Sequence, residues 1–247
     1  MATINGITLL GKSAFIEDVG ILVFGDLHLG YEEMLNEVGV LIPRTMFREV
    51  IDELKMIFDG IEKEGKKLKN IVVLGDIKHE FGTVLNQEWS DVLQFLRILK
   101  EKVKEKGEVI LIKGNHDTIL EPIVRREGLE LREFYIDGKY GFLHGDKMFD
   151  SVLDRNVKVV FVGHMHPAVT LKEGVKSERY KCFLVGRWKG KKLIVMPSFF
   201  PLVEGADVFY QEGNLAMKLN LKNMDVYVVS SGLEVMDFGK MRKMEKK

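Results

Sequence analysis

Two hydrophobic periods alternate along the first half of the chain. Gly20–Phe24 (GILVF), Ile71–Leu74 and Glu108–Ile112 are short runs of apolar, mostly β-branched residues. Runs of that length and composition predict buried strands. Between them the apolar residues recur every three or four positions. Met46–Phe58 places Phe47, Val50, Ile51, Leu54, Ile57 and Phe58 on one helical face, and Pro43 suits the start of that helix. Trp89–Lys106 repeats the pattern with Val92, Leu93, Leu96 and Leu99 and turns lysine-rich toward its C-terminal end, as the helix dipole favours.

After residue 130 the period changes. Glu133–Ile136 and Tyr140–Leu143 flank the turn sequence Asp137-Gly138-Lys139 and predict a hairpin. Arg179–Arg187 and Lys192–Met196 predict a second around Trp188–Lys191. Asp225–Ser230 and Glu234–Phe238 predict a third around Ser231-Gly232-Leu233. Lys158–Val162 is another buried strand. Neither an internal repeat nor a linker interrupts the pattern. The chain therefore reads as one α/β domain over residues 1–247, strand–helix units first and hairpins later. Residues 240–247 (KMRKMEKK) are expected to form a frayed tail.

Composition narrows the classes of function. Apolar residues make up 46% of the 247, enough for a sizeable core. No apolar run approaches the roughly 18 residues that span a bilayer, so no membrane association is expected. The N-terminus lacks a basic start followed by a long apolar segment, and Cys182 stands alone; both suit a cytoplasmic protein. Lys and Arg (37) balance Asp and Glu (37), but unevenly along the chain. Segment 172–192 carries eight basic residues against two acidic ones, interleaved with Tyr180, Phe183 and Trp188. Basic charge with aromatics fits single-stranded nucleic acid, where phosphates are neutralised and bases stack. A solvated hairpin with its aromatics packed inward fits the same residues, and zero net charge weighs toward that second reading.

The chemistry concentrates at the strand ends. Five polar clusters stand there: Gly25-Asp26-Leu27-His28, Gly75-Asp76-Ile77-Lys78-His79, Gly114-Asn115-His116-Asp117, His144-Gly145-Asp146 and Gly163-His164-Met165-His166. All six histidines of the chain lie in them. Residues just past the C-terminal ends of strands occupy the usual ligand site of an open α/β sheet. Asp, His, Asp, Asn, His, His and His, without cysteine, suit borderline-hard divalent ions. Seven ligands exceed the needs of one ion and suit two that share a carboxylate. Such a pair clamps the attacking and leaving oxygens of an in-line phosphoryl displacement.

The five clusters, in this order, resemble the calcineurin-like metallophosphoesterase superfamily. The pattern is DxH, GDxx, GNH(D/E), a lone His and GHxH, and it covers Gly25 to His166. The Pro197–Asp207 segment (PSFFPLVEGAD) looks like a further family feature. The strings GDLHLGYE (Gly25–Glu32) and GDIKHEFG (Gly75–Gly82) are similar to one branch, the small archaeal and bacterial enzymes associated with DNA-repair helicases. The resemblance implies a four-layer αββα sandwich of two mixed β-sheets flanked by helices. It implies two divalent ions, Mn²⁺ first, with Zn²⁺, Fe²⁺, Co²⁺ or Ni²⁺ as alternatives. Asp26, His28 and His166 would hold one ion, Asn115, His144 and His164 the other, and Asp76 would bridge them. His116 would contact the phosphate and protonate the leaving oxygen, oriented by Asp117. His79 departs from the pattern, since many members carry Asp or Asn there; it is expected either at the substrate phosphate or behind the metal ligands as a support, and Asn115 at the substrate. The implied reaction is hydrolysis of phosphodiesters in nucleic acid, single-stranded DNA above all, with a DNA-repair helicase or ligase as partner. A small-molecule phosphodiesterase or phosphomonoesterase is the alternative, and a scaffold without catalysis is a third reading.

Overall fold

The computed structural model describes residues 1–79, 86–103, 107–210 and 215–244. Its first sheet is built in chain order. Strands β1 (Ala2–Ile4), β2 (Ile7–Leu10), β3 (Ser13–Ile16) and β4 (Ile21–Phe24) form an antiparallel meander, and β5 (Asn70–Val73), β6 (Val109–Ile112) and β7 (Leu131–Arg132) continue in parallel. Between these strands run α1 (Tyr31–Glu37), α2 (Met46–Lys63), α3 (Asn86–Val103) and α4 (Glu121–Arg126).

The period-2 alternation of the strands divides two cores. Leu22 and Phe24 of β4 face Val50, Leu54 and Ile57 of α2 and Phe95 and Leu99 of α3. Ile21 and Val23 face the other way, into a second core with Phe142, Phe161, Phe183 and Ile194. Those residues belong to the second sheet. It contains β8 (Phe134–Asp137), β9 (Tyr140–Leu143), β10 (Val159–Val162), β11 (Pro167–Glu173), β12 (Lys176–Trp188), β13 (Lys191–Val195), β14 (Ala206–Asp207), β15 (Asp225–Val229) and β16 (Val235–Lys240). The order is β14-β11-β12-β13-β10-β9-β8, with β15 on β12 and β16 on β15. Parallel β9–β10–β13 pairs stand beside antiparallel hairpins, so this sheet is mixed as well. A third core covers its outer face with Val152, Met217, Met224 and Met241.

The three expected hairpins and the buried strands are present, and α2 runs one turn beyond the expected Phe58. The tail is different. Lys240 ends β16, and Met241–Met244 form a helical turn, α5, whose Met241 is buried in the third core. Burying one methionine holds that turn against fraying; residues 245–247 lie outside the described residues. So do 80–85, with the end of GDIKHEFG, and 104–106 of the lysine-rich helix end. Strands β1 to β3, helices α1 and α4 and strand β11 were not expected from the sequence.

Candidate metal centre

Strands β4, β5, β6, β9 and β10 all end at one edge of the sandwich, and the five polar clusters meet there. Two loops lock first. The amides of Asp26, Leu27, His28 and Leu29 donate to carbonyls of Gly75, Asp76, Asp76 and Ile77, each at 2.9 Å. The backbone at this edge is unusual. Among the described residues seven non-glycine residues have positive φ, and five of them are Asp26, His28, Asp76, His164 and His166 (φ 48–63°). That conformation costs an L-residue free energy, and such residues concentrate at functional sites. Gly114 lets the loops approach: a Cβ there would sit 2.2 Å from Asp76 Oδ1.

Two donor sets meet at Asp76. Asp26, His28, Asp76 and His166 form the first, Asp76, His144 and His164 the second, with the donor atoms of each within 4.8 Å of one another. In the first, His28 Nε2 lies 3.4 Å from His166 Nε2 and 3.8 Å from Asp76 Oδ2, and His166 Nε2 lies 3.4 Å from Asp26 Oδ1. In the second, His144 Nε2 lies 3.1 Å from His164 Nδ1, 3.1 Å from Asn115 Oδ1 and 3.4 Å from Asp76 Oδ2. His144 Nδ1–H donates to the Leu74 carbonyl at 2.7 Å, so its Nε2 lone pair faces these acceptors. Lone pairs converging from four groups call for a cation, and imidazole, carboxylate and amide oxygen suit a divalent transition ion. The donor chemistry therefore fits two metal ions sharing Asp76.

The protonation states agree. Burial opposes charge on His144, but its hydrogen bond with Asp76 and the charges of Asp26 and Asp76 prevail, and its pKa is pushed up to about 9. Without a metal, a proton takes the position a cation suits. Burial pushes His28 down to about 3 against the pull of Asp76, which leaves it neutral. Burial also works against ionised Asp26 and Asp76, yet His166 holds Asp26, and His144 holds Asp76, below the usual carboxylate range.

The remaining expected residues have distinct places. His116 N donates to Asp76 Oδ1 at 3.0 Å, and its ring stands edge-on to His28, centroids 4.8 Å apart. Asp117 does not orient it. Asp117 is fully buried, and its carboxylate accepts from the amides of Ile77 (3.0 Å), Lys78 (3.3 Å) and Gly114 (2.9 Å). It ties the β5 loop to the β6 loop, since three amides at the loop crossing need an acceptor. Burial and the nearby Asp76 charge push its pKa up to about 6. The His116 ring hydrogen-bonds instead to the His79 carbonyl, at 2.5 Å. His79 stacks on His116 (5.3 Å) beside the donor sets, and burial lowers its pKa to about 4.

Sequence reasoning passed over several supports of the centre. Ser198 Oγ donates to the Asp26 carbonyl at 2.9 Å, and the amides of Phe199 and Phe200 donate to Gly25 and Asp26. Phe200 and Tyr31 wall the site beside His28 and His79. The PSFF string was the available signal, without its mechanism. Below it, Lys181 Nζ donates to the Ser198 carbonyl at 3.0 Å, and burial lowers its pKa to about 7.

Segment 172–192 is therefore not one basic patch. Lys181 supports the Ser198 loop. Lys191 is buried and donates to the carbonyls of Asp154 (2.6 Å) and Val157 (2.7 Å). The Trp188–Lys191 turn pairs with the beginning of β10, because Lys192 opposes Val159; the site lies past Val162 at the other end. That turn cannot wall the metal centre. The β11–β12 hairpin leaves directly from His166, and its Thr170, Lys172, Ser177 and Arg179 share one face by register. The Arg179 guanidinium lies 3.4 Å from the carbonyl of Gly205, which packs on the His166 carbonyl.

A family model described as calcineurin-like phosphoesterase matches residues 19–153. Among solved structures, the nuclease MPE of Pseudomonas putida is similar with a TM-score of 0.60 at 15% identity, over 92% of each chain. Wild-type Vps29 of Entamoeba histolytica, complexed with zinc, gives 0.36 at 18% identity over 89% of this chain and 99% of its own. A predicted phosphoesterase of Streptococcus pneumoniae gives 0.32 at 13% identity over 89% and 97%. The first likeness establishes the fold; the other two carry no weight. No curated protein matches the sequence.

Proposed function

The chain belongs to the calcineurin-like phosphoesterase family, metal-dependent hydrolases of phosphate esters, and from that premise we propose that it hydrolyses phosphodiester bonds in nucleic acid, single-stranded DNA in particular. The observation that carries the reading is Asp76, shared by two donor sets that each draw on both sheets. Asp26, His28 and His166 would hold one divalent ion, Asn115, His144 and His164 the other, and Asp76 would serve both. The donor set admits Mn²⁺, Zn²⁺, Fe²⁺, Co²⁺ or Ni²⁺, and we take Mn²⁺ as the working ion. Ions held there would supply an activated water and neutralise charge on the phosphoryl oxygens.

The protein's own groups do the rest. His116 Nδ1–H is engaged by the His79 carbonyl, and we assign to its Nε2 the proton that goes to the leaving oxygen. Asn115 and His79 line the position of the phosphate. Phe200 and Tyr31 close the side nearest His28, and Arg179 with Lys172 gives the β11–β12 hairpin a cationic face for a phosphate backbone. The strings GDLHLGYE and GDIKHEFG support the nucleic-acid substrate and a DNA-repair helicase or ligase as partner, and the lone Cys182 suits a cytoplasmic setting. No helix among the described residues is long and apolar enough to cross a membrane.

Zero net charge and the structural use of Lys181 and Lys191 favour the second reading, a small phosphate ester. The discriminating experiment offers single-stranded DNA, duplex DNA, RNA, bis-p-nitrophenyl phosphate and p-nitrophenyl phosphate to the protein with each metal. Cleavage of single-stranded DNA is expected. Intact DNA with every metal, alongside hydrolysis of a small ester, replaces the nuclease reading with the second.

A further inference from the structure

His79 belongs to neither donor set of the centre, yet it touches residues on two sides of it. His28 meets the first set through Nε2, and its other nitrogen, Nδ1, lies 3.5 Å from His79 Nδ1. An imidazole that ligates through one nitrogen carries its proton on the other, and the partner of that proton fixes ring tautomer and orientation. With Nε2 toward the first set, His28 presents Nδ1–H to His79, whose Nδ1 must then accept. The proton of the His79 ring consequently sits on Nε2.

The backbone of the same residue holds the second ring. His116 Nδ1–H donates to the His79 carbonyl at 2.5 Å, and the two imidazoles stack with planes 28° apart. His79 is itself secured. Its amide lies 2.9 Å from both the Leu29 carbonyl and Oε1 of the fully buried Glu88, and Tyr31 meets its ring edge-on at 4.7 Å.

We propose that His79 is a positioning residue serving both halves of the chemistry: its ring Nδ1 sets the tautomer and orientation of His28, and its carbonyl sets those of His116. The inference rests on the two-metal reading of the centre and deepens it. The usual partner of a ligating histidine is a carboxylate or a carbonyl. A neutral imidazole gives the same direction without adding negative charge, so the charge of the first set stays with Asp26 and Asp76.

A competing use of the same atoms is a third cation, because nitrogens of His28, His79 and His116 lie within 4.8 Å of one another. The lone pairs argue against it. His28 Nδ1 and His116 Nδ1 are N–H donors in this arrangement, and the His79 Nδ1 lone pair is aimed at His28.

Asparagine and glutamine separate the two ring nitrogens. His79→Asn can place an amide oxygen where Nδ1 stands; His79→Gln reaches the Nε2 position and leaves His28 without its acceptor. The test titrates zinc into the wild-type protein and the Asn, Gln and Ala variants by calorimetry. Two ions per chain are expected in the wild type. His79→Asn should hold both with near wild-type affinity, whereas His79→Gln and His79→Ala should weaken one of the two by about 10–100-fold. Nitrogen-15 spectra of the zinc-loaded wild type should show protonated His28 Nδ1 and His79 Nε2, a readout that survives if a variant does not fold. Equal affinities in all folded variants, or a protonated His79 Nδ1, overturn the proposal. A third zinc lost in every variant overturns it in favour of a cation site. A wild-type protein that binds no zinc, manganese or cobalt sinks the two-metal reading itself, a distinguishable result.

Discussion

The two banks of the metal centre are built from different chemistry. The first sheet supplies Asp26, His28, Asp76 and Asn115, while the second supplies imidazoles alone, His144, His164 and His166. The first bank brings the charge. Its loops interlock through backbone hydrogen bonds and through Asp117, so its two carboxylates stay close despite their repulsion. The second bank brings softer nitrogen donors, which move preference from magnesium and calcium toward transition ions. Each donor set takes residues from both banks. Ions bound at the centre would thus join the sheets at one edge, while Val72, Phe142, Phe161 and Phe183 join them by apolar packing farther in.

The largest break in this comparison is Asp76→Ala, which removes the one group that both sets share. Metal analysis should show loss of one or both ions, with activity down by several orders of magnitude; full metal content refutes the sharing. His116→Ala leaves both banks intact. It should keep its ions and lose roughly 10²–10⁴-fold in turnover on DNA. The loss should be smaller for p-nitrophenyl esters, whose leaving group hardly needs a proton. Equal losses on both would mean that His116 only positions the phosphate.

The banks also differ in how acid affects them. In the metal-free protein His144 holds its proton up to about pH 9, so at neutral pH a proton competes with the ion of the second set. His28, at about 3, carries no such proton. Affinity at the second set should therefore rise with pH, about tenfold per unit below pH 9 for one released proton, while His28 adds no dependence above pH 4. Zinc titrations from pH 6 to 8.5 measure this, and two equal pH slopes would contradict it.

Removing the ions should loosen the joint between the sheets. Ligand at 100 times Kd stabilises a site by about 2.7 kcal/mol, which for a chain of this size is roughly 5–10 °C in unfolding temperature. Unfolding scans with and without chelator check it; an unchanged midpoint would show that packing alone joins the sheets. The smallest effect concerns the hairpins. Arg179→Glu with Lys172→Glu should weaken single-stranded DNA binding several-fold and lower the salt slope by about one unit per lost phosphate contact. Lys189→Glu with Lys192→Glu, at the far end of β10, should change neither. A reversed pattern would put the DNA at the distal turn.

Much of this was legible along the chain. Short apolar runs placed β4, β5 and β6, which are buried on both faces, and period 3.6 placed helices α2 and α3, because burial of one face imposes that period on a helix. The five polar clusters were visible because Gly-Asp, Gly-Asn and Gly-His strings break the apolar runs abruptly. Strands β1 to β3 and β11 were missed. Thr3 and Thr8 interrupt the first strands, and β11 mixes buried Val169 with Lys172 and Glu173, so no clean period marks them.

What the sequence by itself determined is which residue types stand at strand ends, and so the inventory of carboxylates and imidazoles at one edge. Which atom faces which was decided by the tertiary structure alone. Asp117 lies beside His116 in sequence, yet its carboxylate turns to three backbone amides, and the carbonyl of His79, 37 positions earlier, takes the His116 ring. Lys181 and Lys191 read as part of a basic surface, yet both bury their ammonium groups among carbonyls. Hydrogen-bond partners are chosen by proximity in space, and a one-dimensional pattern records burial period but not the crossing of loops from two sheets.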